Sequence, residues 1–282
     1  ELYDSKSLYE QQVKGLKNLF DLRVSENHPD FVGKSFEQYR DKTVPPNVVD
    51  TNTNWYDLMN GTGLISRTQV AMSGGSERTI FYVSTNLNYE KGTIIDRSHT
   101  EATIRSNITH NIFDNLKFTL RLAGEYSYDP NSFNSSSHAR WESFSAVPYD
   151  NPYYDGPGAI NGHLTPVMNS NVVPLWYHYT RQNWILERET SESFTKGYDG
   201  LVNGELDWRV TDWLRLNTNT RLSIGFEDES EMQTKDNLNG YTYGGYVDWD
   251  YDYGTGIITS NTAHMTKKFG NHSFYGILGQ EY

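Results

Sequence analysis

Asp248, Asp250 and Asp252 stand at alternate positions and come nearest, of any residues in this sequence, to the spacing of a metal site. Carboxylates are hard oxygen donors of the kind that hold Ca²⁺. In an EF-hand loop begun at Asp248, the sixth position would be Gly and the twelfth Glu. Those positions hold Tyr253 and Thr259, so that template fails. On a strand the three aspartates would share one face. Two readings remain, a weak cation site and an acidic solvated edge.

Aromatic residues form the second candidate set. Trp141, Tyr153, Tyr154, Trp176, Tyr177 and Trp184 fall in one long polar stretch, and Tyr246 and Trp249 in another. Aromatic faces stack on sugar rings and on peptide side chains, and give large contact area at low entropic cost. Solute contact is one reading. Packing of the loop on itself, an interfacial aromatic girdle or contact with a protein partner are the others. A third set is charged: Arg105, Arg121, Arg215 and Arg221, with Glu101, Glu125, Glu205 and Asp207. These could line a polar interior, or tie a wall together through ion pairs.

Chemistry that breaks bonds finds no footing. None of the eight His forms H-E-x-x-H. No G-x-S-x-G, Walker A or dinucleotide fingerprint occurs. The chain is read as no enzyme, with no cofactor.

The elements that carry these residues are strands. Along Leu116–Tyr126, Leu116, Phe118, Leu120, Leu122 and Tyr126 fall on one face, and Lys117, Thr119, Arg121 and Glu125 on the other. Side chains alternate across a strand, so one face is oily and the other charged. That charged face is too polar for a sandwich core. The length suits a tilted membrane-crossing strand of roughly 9–11 residues. Further strands are expected at 64–73, 79–89, 100–112, 197–209, 213–226, 257–267 and 272–282. Connections near 74–77, 113–115, 210–212 and 268–271 are short. The alternate ones are longer, with long loops at about 129–196 and 227–256. Short turns on one rim and long loops on the other is the asymmetry of outer-membrane barrels. Residues 1–24 and 35–42 read as helices.

Bulk composition agrees. Of 282 residues 36% are hydrophobic and 14% aromatic, with 21 Tyr. No run of eighteen apolar residues exists, as expected if alternation carries the oily face. The net charge of −12 and the lack of a basic patch argue against nucleic acid. There is no cysteine, hence no disulfide framework. Both termini read as cut, as in a piece of a longer polypeptide.

A string of motifs carries a family resemblance. It runs Asn52-Thr-Asn-Trp55-Tyr-Asp-Leu-Met59, Gly61-Thr-Gly63, Val70-Ala-Met-Ser73-Gly-Gly-Ser-Glu77 and Thr79-Ile-Phe-Tyr-Val-Ser84. Tyr89-Glu-Lys-Gly92-Thr-Ile-Ile95 and Ala102-Thr-Ile-Arg-Ser-Asn107 continue it, and Lys268-Phe-Gly270-Asn-His272 and Leu278-Gly-Gln-Glu281 end it. In order and spacing this resembles the SusC/RagA-like branch of the TonB-dependent outer-membrane transporters, across about residues 35–282. The resemblance implies a plugged 22-stranded barrel, of which this chain would hold about nine strands and neither plug nor TonB box. It also implies a SusD-like surface lipoprotein as lid, TonB reached through a part outside this chain, outer-membrane lipid, and a glycan or peptide as solute.

The expectation is therefore all-β: part of a large antiparallel transmembrane β-barrel, with long extracellular loops, short periplasmic turns and a little helix near the N-terminus. Residues 1–62 would be an extracellular loop region with short helices, and 63–282 a partial barrel. The function expected is TonB-dependent import of an oligosaccharide or oligopeptide across the bacterial outer membrane. The rivals are a passive porin or adhesin-like barrel, and a secreted carbohydrate-binding β-protein whose oily faces would meet between two sheets.

Overall fold

A computed structural model describes residues 3–131, 144, 146–153, 159–160 and 183–282. Eight strands form one antiparallel sheet in sequence order. They are β1 (Leu64–Gly75), β2 (Thr79–Lys91), β3 (Ser98–Phe113), β4 (Leu116–Pro130), β5 (Ser191–Arg209), β6 (Leu214–Thr234), β7 (Gly245–Phe269) and β8 (His272–Glu281). The sheet is an open meander among the described residues, one strand short of the nine expected. Every connection joins neighbours, as in an up-and-down barrel wall.

The register makes the two faces explicit. One cross-strand row reads Tyr82, Asn107, Arg121, Asn203, Arg221, and the next Thr109, Thr119, Glu205, Asn219, Ser260. Rows of the opposite face read Leu87, Ala102, Tyr126, Tyr198, Phe226, Tyr253 and Ser106, Leu122, Val202, Leu222, Ile257. No second sheet covers the apolar face among the described residues. Val70 is 61% exposed, Ile104 56% and Ile224 50%.

Aromatic rings bound the apolar band. On one side Tyr126, Tyr198, Phe226 and Tyr251 run across four strands, with ring centroids 5.1, 6.0 and 5.5 Å apart. On the short-turn side stand Phe113, Trp208, Trp213, Phe269 and Phe274, all exposed. From Tyr198 to Trp208 the strand runs roughly 33 Å, which a tilt of about 40° reduces to about 25 Å, the height of an outer-membrane apolar band.

β6 and β7 do not stop at the upper aromatic row. β6 runs on to Thr234 and β7 begins at Gly245, so the loop expected at 227–256 shrinks to 235–244, with a helical turn α5 (Leu238–Tyr241) in it. Backbone pairing alone carries the strand there, from Glu227↔Asp252 to Thr234↔Gly245. Beyond the upper aromatic row the alternation that marks the other strands fades from β6.

A helical cap sits on the long-loop rim. It holds α1 (Ser5–Ser25), α2 (Phe36–Thr43), a 3₁₀ turn (Pro46–Asp50), α3 (Trp55–Met59) and α4 (Trp184–Glu189). At 21 residues, α1 covers most of the helix expected at 1–24. The Asp4 side chain caps it, accepting from Ser7 N–H at 2.7 Å. Inside α1, Gly15 costs about 1 kcal/mol against Ala, offset by packing: Leu8, Tyr9 and Leu16 lie on Val44, Val48 and Tyr149. In a second cluster Trp55 and Met59, one helical turn apart, bury against Ile185 and Leu186.

Candidate functional site

The polar face of the sheet gathers the charged candidates. Arg121 Nη1 donates to Asn203 Oδ1 and to Glu205 Oε2, both at 2.9 Å. Arg215 grips Asp207 by two nitrogens, Nε at 2.9 Å and Nη2 at 2.6 Å. Asn217 bridges the two acids, donating to Glu205 at 3.0 Å and to Asp207 at 3.4 Å. Asn203 extends the chain to Asn219 at 2.7 Å. This lattice crosses β4, β5 and β6 and ties them side by side. Such bonds recommend a structural duty for Arg121, Glu205 and Arg215, one of the two readings the sequence left open.

The remaining charges are not drawn into it. Arg221 is exposed, one strand over from Asn203. Arg105 and Glu125 border a shallow hollow with Asp199, floored by Gly225, Gly254 and Gly256. None of the three makes an ion pair among the described residues. Missing side chains make the hollow. A Cβ on Gly256 would meet Ser223 Oγ at 2.8 Å, and one on Gly225 would meet Asp199 Oδ1 at 3.1 Å. Sequence reading named the arginines and missed the glycine floor. The signal was the alternation of Gly254 and Gly256 with Thr255.

The acidic stretch keeps one face and gains partners of its own sign. Asp248, Asp250 and Asp252 lie directly opposite Glu231, Glu229 and Glu227. This six-carboxylate ladder belongs to the polar face and stands beyond the upper aromatic row. Among the described residues, no three acidic or His side chains come together in a metal-holding group. Glu231 is buried. It accepts from Tyr246 Oη at 2.7 Å and from Gln233 Nε2. Burial and then Glu231 push the Tyr246 hydroxyl pKa well above its ordinary value.

The aromatic candidates part company. Tyr246 is on the polar face. Trp249, three residues on, is on the opposite face, where it stacks on Tyr251 with centroids 5.8 Å apart and donates from Nε1 to Asp228 at 2.6 Å. A spacing of three in a strand puts the two candidate side chains on opposite sides of the sheet. Trp184 opens α4 and packs against the Trp55 cluster, so it serves the cap core. Tyr153 is exposed at the cap surface. Trp141, Tyr154, Trp176 and Tyr177 lie outside the described residues.

One constellation was read only as a motif. Asn52 Oδ1 accepts from Ser5 N–H at 3.0 Å. Thr53 donates from N to Pro148 O at 2.8 Å and from Oγ1 to Asp150 O at 2.6 Å. Asn54 caps α3, and Trp55 Nε1 donates to Val147 O at 3.0 Å. The string Asn52–Trp55 is a clasp that joins α1, the 146–150 segment and α4 above the rim. The cap is also tied to the β6–β7 hairpin, through Asn237 Nδ2 donating to Glu187 O at 3.3 Å.

Comparison with known proteins adds the context. No family model matches the chain. It is 24% identical over 235 residues to TonB-dependent receptor P3 of Formosa agariphila, covering 82% of this chain and 22% of that protein. It is 24% identical over 161 residues to TonB-dependent receptor P26 of the same organism, covering 57% and 15%. Among solved structures, a chain of the RagAB peptide importer in its closed-closed state superposes with a TM-score of 0.68 at 16% identity, over 93% of this chain and 31% of that one. A structure described as the RagAB peptide transporter gives 0.66 over 99% and 32%, also at 16% identity. The chain thus spans about a fifth of the curated relatives' length or less, and about a third of the solved chains. The chain is thus similar in sequence to TonB-dependent receptors and folds like a stretch of a chain of the RagAB peptide importer.

Proposed function

We propose that this chain is part of the wall and cap of a TonB-dependent importer in the bacterial outer membrane, and that it moves an oligosaccharide or oligopeptide with a SusD-like lipoprotein as lid. One observation carries the reading. A single sheet has an uncovered apolar face about one bilayer tall, a polar face laced with ion pairs, tight turns on one rim and a packed cap on the other. Lipid accounts for the first face, and a wet, plugged interior for the second. The likeness to receptors and to a peptide importer supports the energised form of transport.

On this reading Arg105, Glu125 and Arg221 face the passage, where they are free to meet plug or solute. Tyr246 and the acidic ladder line its mouth. Arg121, Glu205 and Arg215 hold the wall. No covalent step occurs, so no catalytic residue is assigned. The plug and the segment that engages TonB are assigned to parts of the protein outside this chain.

Deletion of the gene tests the proposal. Labelled oligosaccharides and oligopeptides should enter wild-type cells and not the deletion strain, and entry should stop when a protonophore collapses the proton-motive force. Undiminished uptake in the deletion strain overturns the reading. Uptake that needs the gene and survives the protonophore points instead to a passive porin. The expressed barrel should also show heat-modifiable migration on gels, which a soluble sandwich would not.

A further inference from the structure

Glu227, Glu229 and Glu231 on β6 stand directly opposite Asp252, Asp250 and Asp248 on β7, three rungs of like charge on the polar face. Like charges in direct cross-strand register are destabilising. None of the six makes an ion pair among the described residues. Their polar-face neighbours on β5 are Ser193, Thr195 and Gly197, so no base flanks the ladder on that side. The top rung is also drawn out of water. Glu231 is 7% exposed, and both bonds it accepts, from Tyr246 Oη and from Gln233 Nε2, fall on Oε1. Its Oε2 accepts none among the described residues. A separate signal comes from Gln233, an uncharged side chain next on the same face. It is 6% exposed, and its amide Oε1 is buried without a hydrogen-bond partner among the described residues.

A buried carboxylate is costly without a cation, and a buried amide oxygen is costly without a donor. One kind of group relieves both. An ammonium or a guanidinium carries positive charge and several N–H donors in a single head. A bare metal ion suits the place less well, because no three acidic or His side chains converge there among the described residues. The rung spacing then selects among solutes. Successive rungs are two residues apart, roughly 6.8 Å along the strand. An extended peptide repeats its side chains on one face at the same interval. Lysines or arginines at alternate positions therefore meet rung after rung. The hydroxyls of a neutral sugar gain little from a row of carboxylates, and the acids of a uronate chain are repelled by it.

We propose that this ladder recognises a cationic oligopeptide, an extended segment with Lys or Arg at alternate positions, one of whose cations seats between Glu231, Asp248 and the Gln233 amide oxygen. The proposal rests on the import reading above and names its solute as peptide rather than sugar. The test titrates the full-length transporter, together with any lipoprotein that copurifies, with fluorescein-labelled pentapeptides read by anisotropy. Lys-Ser-Lys-Ser-Lys should bind roughly tenfold tighter than Glu-Ser-Glu-Ser-Glu, and roughly threefold tighter than Lys-Lys-Lys-Ser-Ser, which carries the same charge at the wrong spacing. Glu231→Gln, at the buried rung, should weaken the alternating peptide roughly tenfold, and Asp250→Asn, at an exposed one, roughly twofold. Equal affinity for the alternating and the blocked lysine peptides overturns the proposal. So does wild-type affinity in both variants. A glucosamine oligomer, which carries amines on a sugar chain, overturns the choice of peptide if it binds as tightly as Lys-Ser-Lys-Ser-Lys. Import is read apart from binding: uptake of the lysine peptide that persists in the deletion strain overturns the importer reading, whereas loss of charge or spacing preference overturns the peptide assignment alone.

Discussion

The cap and the wall solve the burial problem in opposite ways. In the cap the buried side chains are those of a soluble protein: Phe20, Val44, Val48, Trp55, Met59, Tyr149, Ile185 and Leu186. Among the described residues, no apolar side chain of the wall joins them. Below the aromatic row the wall's buried side chains are polar ones on the charged face, Ser84, Thr119 and Asn203, the last of them held in the Arg121 lattice. The hydrophobic effect folds the cap in water, whereas the wall leaves its oily side chains outside and waits for a solvent that suits them. One chain therefore holds two regions whose stability answers to different media.

Substitutions can break that contrast, beginning with the cap. Trp55→Ala removes the centre of one cluster and an indole bond to Val147, and should cost the cap about 3–5 kcal/mol. Hydrogen exchange should speed up in α3 and α4 while β1–β8 keep their protection. Loss of protection in the sheet as well would mean that cap and wall are one cooperative unit. Next comes a neighbouring pair in the wall. Leu222→Arg places a charge on the outward face near mid-band and should cost about 2–4 kcal/mol in a urea titration of the barrel refolded into vesicles. Ser223→Arg, one residue on and facing the other way, should cost less than about 1 kcal/mol in the same titration. Equal costs would erase the distinction between the faces.

Smaller effects sharpen the account of the polar face. Arg215→Ala breaks the two-pronged grip on Asp207. Arg215 is half exposed, so the loss should stay near 1 kcal/mol. A thermal melt of the refolded barrel reads it, and a shift indistinguishable from zero would remove the lattice from the list of wall supports. At the mouth the sign reverses. Glu229 and Asp250 are directly opposed like charges, so Glu229→Gln should stabilise the hairpin by a few tenths of a kcal/mol. The gain should shrink as salt rises from 0.01 to 1 M. Destabilisation on this change would mean that the ladder holds a cation.

The sequence exposed the wall far better than the cap. In β4 and β6 a period of two in Leu116–Tyr126 and Leu214–Phe226 separates an oily face from a polar one, so side-chain type reports the face directly. The same logic failed above the upper aromatic row. Glu227-Asp228-Glu229 has no oily alternate, and the strand continues there through backbone bonds that side chains do not encode. The Val247, Trp249, Tyr251, Tyr253 series does alternate with Asp248, Asp250 and Asp252, yet its Gly and Tyr content reads as a loop. Taken as a strand, it would have put Tyr246 and Trp249 on opposite faces at once. In the cap, Trp55 was legible as part of a motif, and Tyr149 fell within the stretch read as a long loop at about 129–196. That both are buried follows from segments meeting across 92 residues of sequence for Trp55 and 137 for Tyr149, and no local pattern carries that.

Everything turns on which solvent each face of β6 meets. This chain carries no cysteine. Single cysteines at Leu222 and at Ser223 of the full-length protein, with any cysteine outside this chain replaced, can be spin-labelled in vesicles and their collisions with oxygen and with a water-soluble nickel chelate compared. The account predicts that the label at 222 collides with oxygen far more than with nickel, and that at 223 the ratio shifts strongly toward nickel. Labels that behave alike, or a label at 222 that meets neither reagent, would contradict it.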